Sequence, residues 1–331
     1  MSYPSAPISR MPPQLGDSAQ FIVIGANIFS SKSRRFPYLG SDIIAISKPP
    51  AGTICPSTLP GGMAQNITIG GAQFFGPVPA NEIDDRSTAR IVATQPSSVF
   101  PRTELGLFSV VADSSGNPVF PAGSILTVNQ YNIPPNAPQR GTSFLLQTLD
   151  GQITQAVGAI DPLRGKFAVW AVHTIEGGAG SEIRWYEIQP ADNTLLQFGS
   201  VKDPSLFLFN GAISPDRVVK GTSTAFGSNM LLNFNASSSQ TFVSIEMVGK
   251  RGANPVSVPS VVLRSTGPDT DSTCPMLSGV CWWSLYAGAS PDPNSPTSGP
   301  AGIVWSTSMW TKPGNSNGTP TWRSFNWKSQ D

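Results

Sequence analysis

Histidine occurs once in this 331-residue chain, cysteine three times, and charged residues make up only 12% of it. Each scarcity removes a class of function. A single histidine, His173, leaves no cluster for zinc, and the cysteines form no Cys-x-x-Cys pair. As a catalytic base His173 would need an adjacent nucleophile and an orienting acid, and its surroundings, AVWAVHTIEGG, show neither. The sequence has no Gly-x-Ser-x-Gly elbow, glycine-rich phosphate loop or EF-hand pattern, which argues against elbow hydrolases and nucleotide binding. With 21 Lys and Arg against 20 Asp and Glu, the formal net charge is +1. No basic face for nucleic acid is therefore expected. No run reaches the ~18 apolar residues of a membrane helix. The opening MSYPSAPISRMPPQLGDS also lacks the apolar core of an export leader.

Helical periodicity is missing as well. No segment keeps apolar residues at i, i+3, i+4 and i+7 for three turns, and proline interrupts most windows. What the chain does have is punctuation: 32 Gly and 32 Pro among abundant Ser, Thr and Asn, which suits many short strands. The fold class is all-β.

A small-residue phrase recurs: VGAID-P at 157–162, NGAIS-PD at 210–216 and AGAS-PD at 287–292, with looser copies at LGDS (15–18) and TQPSS (94–98). Strand-like runs follow each copy, for example KFAVWAVHTI, SEIRWYEIQ and TLLQFGSV after the third. The starts fall near residues 16, 97, 158, 211 and 288, wider than the ~40–50 residues of tight propeller repeats. The reading is a β-propeller of about five four-stranded blades. Gly and Ala let first strands crowd together, and Pro with Ser or Asp turns the chain away. Phe21, Phe108, Trp170, Leu231 and Trp305 are then expected to pack blade against blade. The last blade shows three strands, so the N-terminal segment is expected to supply its outermost one. The C-terminal part of a longer propeller is the alternative, and a pair of β-sandwiches a third. Residues 1–12 read as a flexible Pro/Ser-rich N-terminus and 13–331 as one propeller domain.

The stretches PPQLGDSAQFIVIGANIF, GSDIIAISK, SEIRWYEIQPADNTLLQFGSV and FNGAISPD, with WWSLYAGASPDP and GIVWSTSMW near the end, resemble segments of a mostly bacterial family of secreted or surface β-propeller-like proteins. That resemblance spans roughly residues 12–331 and implies a propeller without assigned chemistry. It also implies an exported protein. Low charge and the sequons at Asn66, Asn235 and Asn317 agree with an extracellular or cell-surface setting. Without a leader, the chain is expected to be a processed form or a fragment.

Candidate functional residues fall into four groups. Glu182, Arg184 and Tyr186 alternate along SEIRWYEI and should share one strand face, opposite Trp185 and Glu187. They are a candidate carbohydrate-binding set and the centre of the enzymatic alternative. Sialidase-like propellers use an arginine triad with a Tyr/Glu nucleophile pair, but their Ser-x-Asp-x-Gly-x-Thr-Trp box is absent here. Trp282 and Trp283 are adjacent, so on a strand one must point away from the core, where it could stack on a sugar ring. Asp17, Asp161, Asp216 and Asp292 follow the small-residue phrases. They are expected either to cap turns or to gather around a calcium ion, the one cofactor considered. Cys274 and Cys281 in CPMLSGVC are close enough for a disulfide or remain two free thiols, and Cys55 has no evident partner.

The functional expectation is a monomeric, non-enzymatic binding or scaffold module whose loops recognise carbohydrate or protein. A glycan-processing hydrolase on the same framework, sialidase- or glycosidase-like, is the alternative.

Overall fold

The computed structural model describes residues 8–31, 36–283, 287–312 and 322–330. The described residues are nearly all β, with one helix of four residues among them. It divides into two compact units, residues 1–130 with 188–195 and residues 131–187 with 196–331.

The first unit opens with an antiparallel meander: β1 (Ile8–Asp17), β2 (Phe21–Ser30), β3 (Tyr38–Ser47) and β4 (Gly61–Ala64). A short hairpin follows, β5 (Thr68–Ile69) with β6 (Ala72–Gln73). Next come β7 (Phe75–Pro79), β8 (Asn81–Glu82), β9 (Ala89–Thr94), β10 (Arg102–Ala112), β11 (Pro118–Val119) and β12 (Ser124–Tyr131). Of these, β7, β9, β10 and β11 lie in that order in one sheet, and β12 also pairs with β10. Strand alternation places Phe21, Val23, Ile43 and Ala45 of the meander against Ala89, Ile91, Ala93, Phe108 and Val110 of the second sheet. Close approach at the rim of this core needs glycine. A Cβ on Gly25 would lie 2.0 Å from the Pro77 carbonyl oxygen, and one on Gly16 would lie 2.5 Å from that of Pro79.

In the second unit, β14 (Ile153–Asp161), β15 (Lys166–Gly177), β16 (Gly180–Gln189) and β17 (Thr194–Val201) form one meander, preceded by the short β13 (Leu145–Leu146). The next sheet runs β18 (Phe207–Pro215), β21 (Met230–Ser238), β22 (Thr241–Lys250) and β23 (Ser260–Arg264), with the hairpin β19 (Val218–Lys220) and β20 (Ser223–Ala225) between its first two strands. Helix α1 (Thr273–Met276) leads to β24 (Val280–Cys281), parallel to β13. A three-stranded sheet closes the chain: β25 (Gly288–Pro291), β26 (Val304–Thr311) and β27 (Trp322–Ser329). The main core packs Trp170, Val172, Ile183 and Trp185 of the first sheet on Leu208, Ile213, Leu232 and Phe234 of the second.

The Gly-Ala phrases occupy β14, β18 and β25, the first strand of each sheet, and β18 lies against both of the others. Gln155 ties the three together. Its Oε1 accepts from the amides of Ile213 at 3.0 Å and Ala289 at 3.2 Å, and its Nε2 donates to the Ala289 carbonyl at 2.7 Å.

The structure departs from the sequence reading in several places. TQPSS does not open a sheet: Thr94 ends β9, the second strand, and the first strand is FGPVP in β7. Slimness there belongs to the neighbours Gly16 and Gly25, so the phrase itself carries no Gly-Ala. Residues 8–12, assigned to a flexible N-terminus, pair with β2 as part of β1. Strand β1 thus starts the first sheet and does not complete the last. Phe21, Phe108, Trp170 and Leu231 are core residues, but Trp305 is 42% exposed, with the Lys328 ammonium 5.8 Å from its ring.

Candidate functional site

The residues with the most chemical potential on β15 and β16 are locked away. His173 and Tyr186 are both fully buried. The His173 Nδ1 faces the Gly151 carbonyl at 2.9 Å, which assigns the proton to that nitrogen, and Nε2 then accepts from the Tyr186 hydroxyl at 3.0 Å. Tyr131 meets the imidazole edge-on at 5.0 Å between centroids. Burial pushes the Tyr186 phenol well above its ordinary pKa, against the Arg184 charge that opposes the rise. A phenol held neutral and out of reach of solvent is not a nucleophile. On the same face Glu182 pairs with Arg184 at 3.5 Å, and Arg184 Nε donates to Ser200 at 3.4 Å.

The opposite face of β16 carries a feature the sequence reading did not single out. Glu187 and Asp161 are buried side by side. Gln197 donates to Glu187 at 2.6 Å, and Arg164 lies 3.2 Å from Asp161 and 3.6 Å from Glu187. Burial pushes the Glu187 carboxyl up to about 7, and the Asp161 charge adds to the rise. Lys250, itself lowered by burial, reaches the Gly252 carbonyl and stands 5.7 Å from the Trp185 ring centroid. Paired carboxylates invite comparison with a glycosidase. Here, however, both are buried and share one guanidinium, that of Arg164, whereas glycoside hydrolysis needs two carboxyl groups facing a sugar.

Three of the four aspartates after the small-residue phrases accept backbone amides, and the fourth, Asp17, forms an ion pair. Asp216 accepts from the amides of Gly227 at 2.7 Å and Gly302 at 3.0 Å and from the Asn229 side chain at 2.8 Å. Asp161 accepts from the amide of Leu163, Asp292 from that of Asn294, and Asp17 pairs with Lys48 at 2.7 Å. They do not converge. Among the described residues, the one group of acidic, histidine or cysteine side chains close enough to share an ion is Asp269, Cys274 and Cys281. Those two cysteines are joined in a disulfide, which leaves no thiolate to ligate, and Cys55 is free and exposed. Of the two expected roles, capping is seen at Asp161, Asp216 and Asp292.

The adjacent tryptophans lie just past β24, not on a strand, and still differ in burial. Trp283 is 1% exposed and donates to Asn235 at 3.0 Å, while Trp282 is 40% exposed. Asn235 is itself buried, so its sequon lies in the core. Tyr286 and Asn317 lie outside the described residues.

In the first unit a cavity of about 220 Å³ opens between the middle of β3, the segment from the end of β4 to β5, β10 and the loop before β12. Phe108 and Phe120 supply rings, Ile43, Ile67 and Pro121 further apolar wall, and Gln65, Asn66, Thr68 and Ser109 the polar groups. No lining side chain is charged. Asn66 sits in the left-handed region, at φ 48°. Its amide donates to Asp42 at 3.1 Å, and its side-chain oxygen accepts from Gln73 at 2.7 Å. That assignment leaves the NH₂ group as the end with which Asn66 can meet a ligand.

No family model matches the chain. No curated protein matches it either. Among solved structures, a mutant of Trypanosoma rangeli sialidase displaying trans-sialidase activity is similar over 90% of this chain, at 11% identity and a TM-score of 0.42. This chain spans 43% of that protein's length. No helix among the described residues is long and apolar enough to cross a membrane.

The cavity was not legible in the sequence. Its lining comes from four separated segments, with Phe108 read as core and Asn66 only as a sequon. The one local hint is the Gln-Asn-Ile-Thr stretch, polar residues interrupting a strand-rich region beside a left-handed asparagine. Arg164 and Gln197 meet Glu187 from a turn and another strand, so spacing along the chain gave no sign of them.

Proposed function

We propose that this protein is a non-catalytic binding module that recognises carbohydrate through the first-unit cavity. The observation that supports this reading is the contrast between the two kinds of site. Its reactive groups are buried or paired, as at His173–Tyr186 and Asp161–Glu187, whereas the open cavity is uncharged, ring-walled and edged with amides and hydroxyls. Recognition needs a concave surface with a few fixed polar groups, and catalysis needs an exposed reactive one. A concavity this small suits a compact ligand better than a protein surface, which buries far larger areas.

The same proposal takes the successive meanders as blades of a β-propeller of about five, acting as a monomer in an extracellular or cell-surface setting. Low charge and the Cys274–Cys281 disulfide support that setting. Trp282 is the candidate for a second contact, since its ring is exposed.

The test pairs a glycan array with a panel of chromogenic glycosides that includes a sialoside. Retention of a glycan subset without chromophore release is expected. Turnover of any glycoside, or failure to retain any glycan, would overturn the proposal.

A further inference from the structure

The chemistry of the cavity's walls narrows the ligand further than "carbohydrate", an inference that rests on the binding-module reading above. We infer that the cavity accepts a single uncharged pyranose residue and discriminates against acidic sugars.

Size comes first. At about 220 Å³ the cavity is smaller than the ≈300–1,000 Å³ of ordinary small-molecule pockets, and one ring with its hydroxyls fills it. Shape comes second. Phe108 is held from two sides: a Cβ on Gly106 would lie 2.9 Å from its ring, and one on Gly123 would lie 2.8 Å from it. The two glycines therefore let the ring occupy a place that any other residue would take from it. Fixed rings offer a pyranose its apolar face without an ordering cost on binding. Phe120, half-buried against the same core, lines the cavity beside it.

Charge decides the class. A sugar presents apolar C–H faces and a belt of hydroxyls, and the lining answers with rings and with Gln65, Asn66, Thr68 and Ser109. Asn66 offers its NH₂ as a donor, and Gln65, Thr68 and Ser109 can both donate and accept, so together they match hydroxyls of either orientation. A uronic or sialic acid would bring a carboxylate into a site where no lining side chain is cationic. A desolvated anion without a partner is strongly disfavoured.

The experiment measures binding of methyl glycosides by ligand-observed NMR and by titration. Neutral probes are the glucoside, galactoside, mannoside and N-acetylglucosaminide; acidic probes are the glucuronide and the sialoside. A neutral oligosaccharide run in parallel tells whether a free ring suffices or a chain end is needed. At least one neutral probe is expected to bind at least tenfold more tightly than every acidic one. Phe120→Leu, which keeps apolar bulk and removes the ring, should weaken it tenfold with an unchanged melting temperature. Thr68 is exposed, so Thr68→Lys should fold normally and reverse the preference toward the glucuronide. Equal binding of acidic and neutral probes, or indifference to both substitutions, overturns this inference while the binding-module reading stands. Absence of binding to every saccharide overturns that reading instead.

Discussion

At the scale of single residues, Asn235 does more than any other polar side chain in the second unit. Its Oδ1 accepts from Asn210 at 2.8 Å, Trp283 at 3.0 Å and Ser308 at 3.2 Å. Its Nδ2 donates to the carbonyls of Met309 at 2.9 Å and Ser244 at 3.1 Å. One amide thus joins β18, β21, β22, β26 and the Trp283 segment, and all of its hydrogen-bonding capacity is used. Replacement by alanine strands three donors and two acceptors in a dry interior, where each costs about 1–3 kcal/mol. Asn235→Ala is expected to lose roughly 3–5 kcal/mol in urea unfolding, at the severe end of single substitutions. A loss below about 1 kcal/mol would show that water replaces the amide.

At the scale of elements, the fold depends on how closely first strands approach their neighbours. Gly25 of β2 sits where a Cβ would overlap the backbone of β7 at Pro77, not a flexible side chain. Gly25→Ala is expected to destabilise by about 3 kcal/mol or more, because the strand must move. Gly61→Ala is the matched control: its Cβ would lie 3.4 Å from the nearest atom, and stability should change little. The Gly-Ala phrases were legible: Gly158, Gly211 and Gly288 lie on the first strands of their sheets, and a Cβ on Gly211 or Gly288 would meet a side chain at 3.0 or 3.1 Å. Crowding was illegible at β7, where the slim residues sit on the partner strands. Alternation along β16 was also legible, because side chains two apart must share a face. The partners of either face were not. Arg164 and Gln197 at Glu187, and His173 at Tyr186, come from other strands and turns, and local pattern does not encode such meetings. Trp305 failed because it lies on the outward face of β26, whereas its neighbours Val304 and Ser306 on the other face are buried.

At the scale of the whole molecule, buried acids make stability depend on pH in an unusual direction. Glu187 is raised to about 7 and Glu82, through burial, to about 8, both from an ordinary 4.5. The folded chain therefore holds protons that the unfolded chain has released above pH 4.5. Their stabilisation is fully present below that pH and is lost as pH rises through 7 and 8. For Glu187 the loss is of order 3 kcal/mol at about 1.4 kcal/mol per pH unit. Melting temperature is expected to fall between pH 5 and pH 8.5, and Glu187→Gln should flatten much of that fall. A melting temperature that rises across this range in the wild type would refute the assignment.

All eight tryptophans lie beyond residue 131, and every one of them belongs to the second unit. Trp170 and Trp185 stack at 6.2 Å with an interplanar angle of 24°, and neither indole N–H has a hydrogen-bond partner. Indole fluorescence is consequently a spectroscopic view of one half of the chain, dominated on its short-wavelength side by a coupled pair in a dry setting. The half with the cavity emits nothing in that channel. Ligand titrations followed by tryptophan emission would stay flat however tightly the first unit bound, and an indole introduced there would give the missing half a colour of its own.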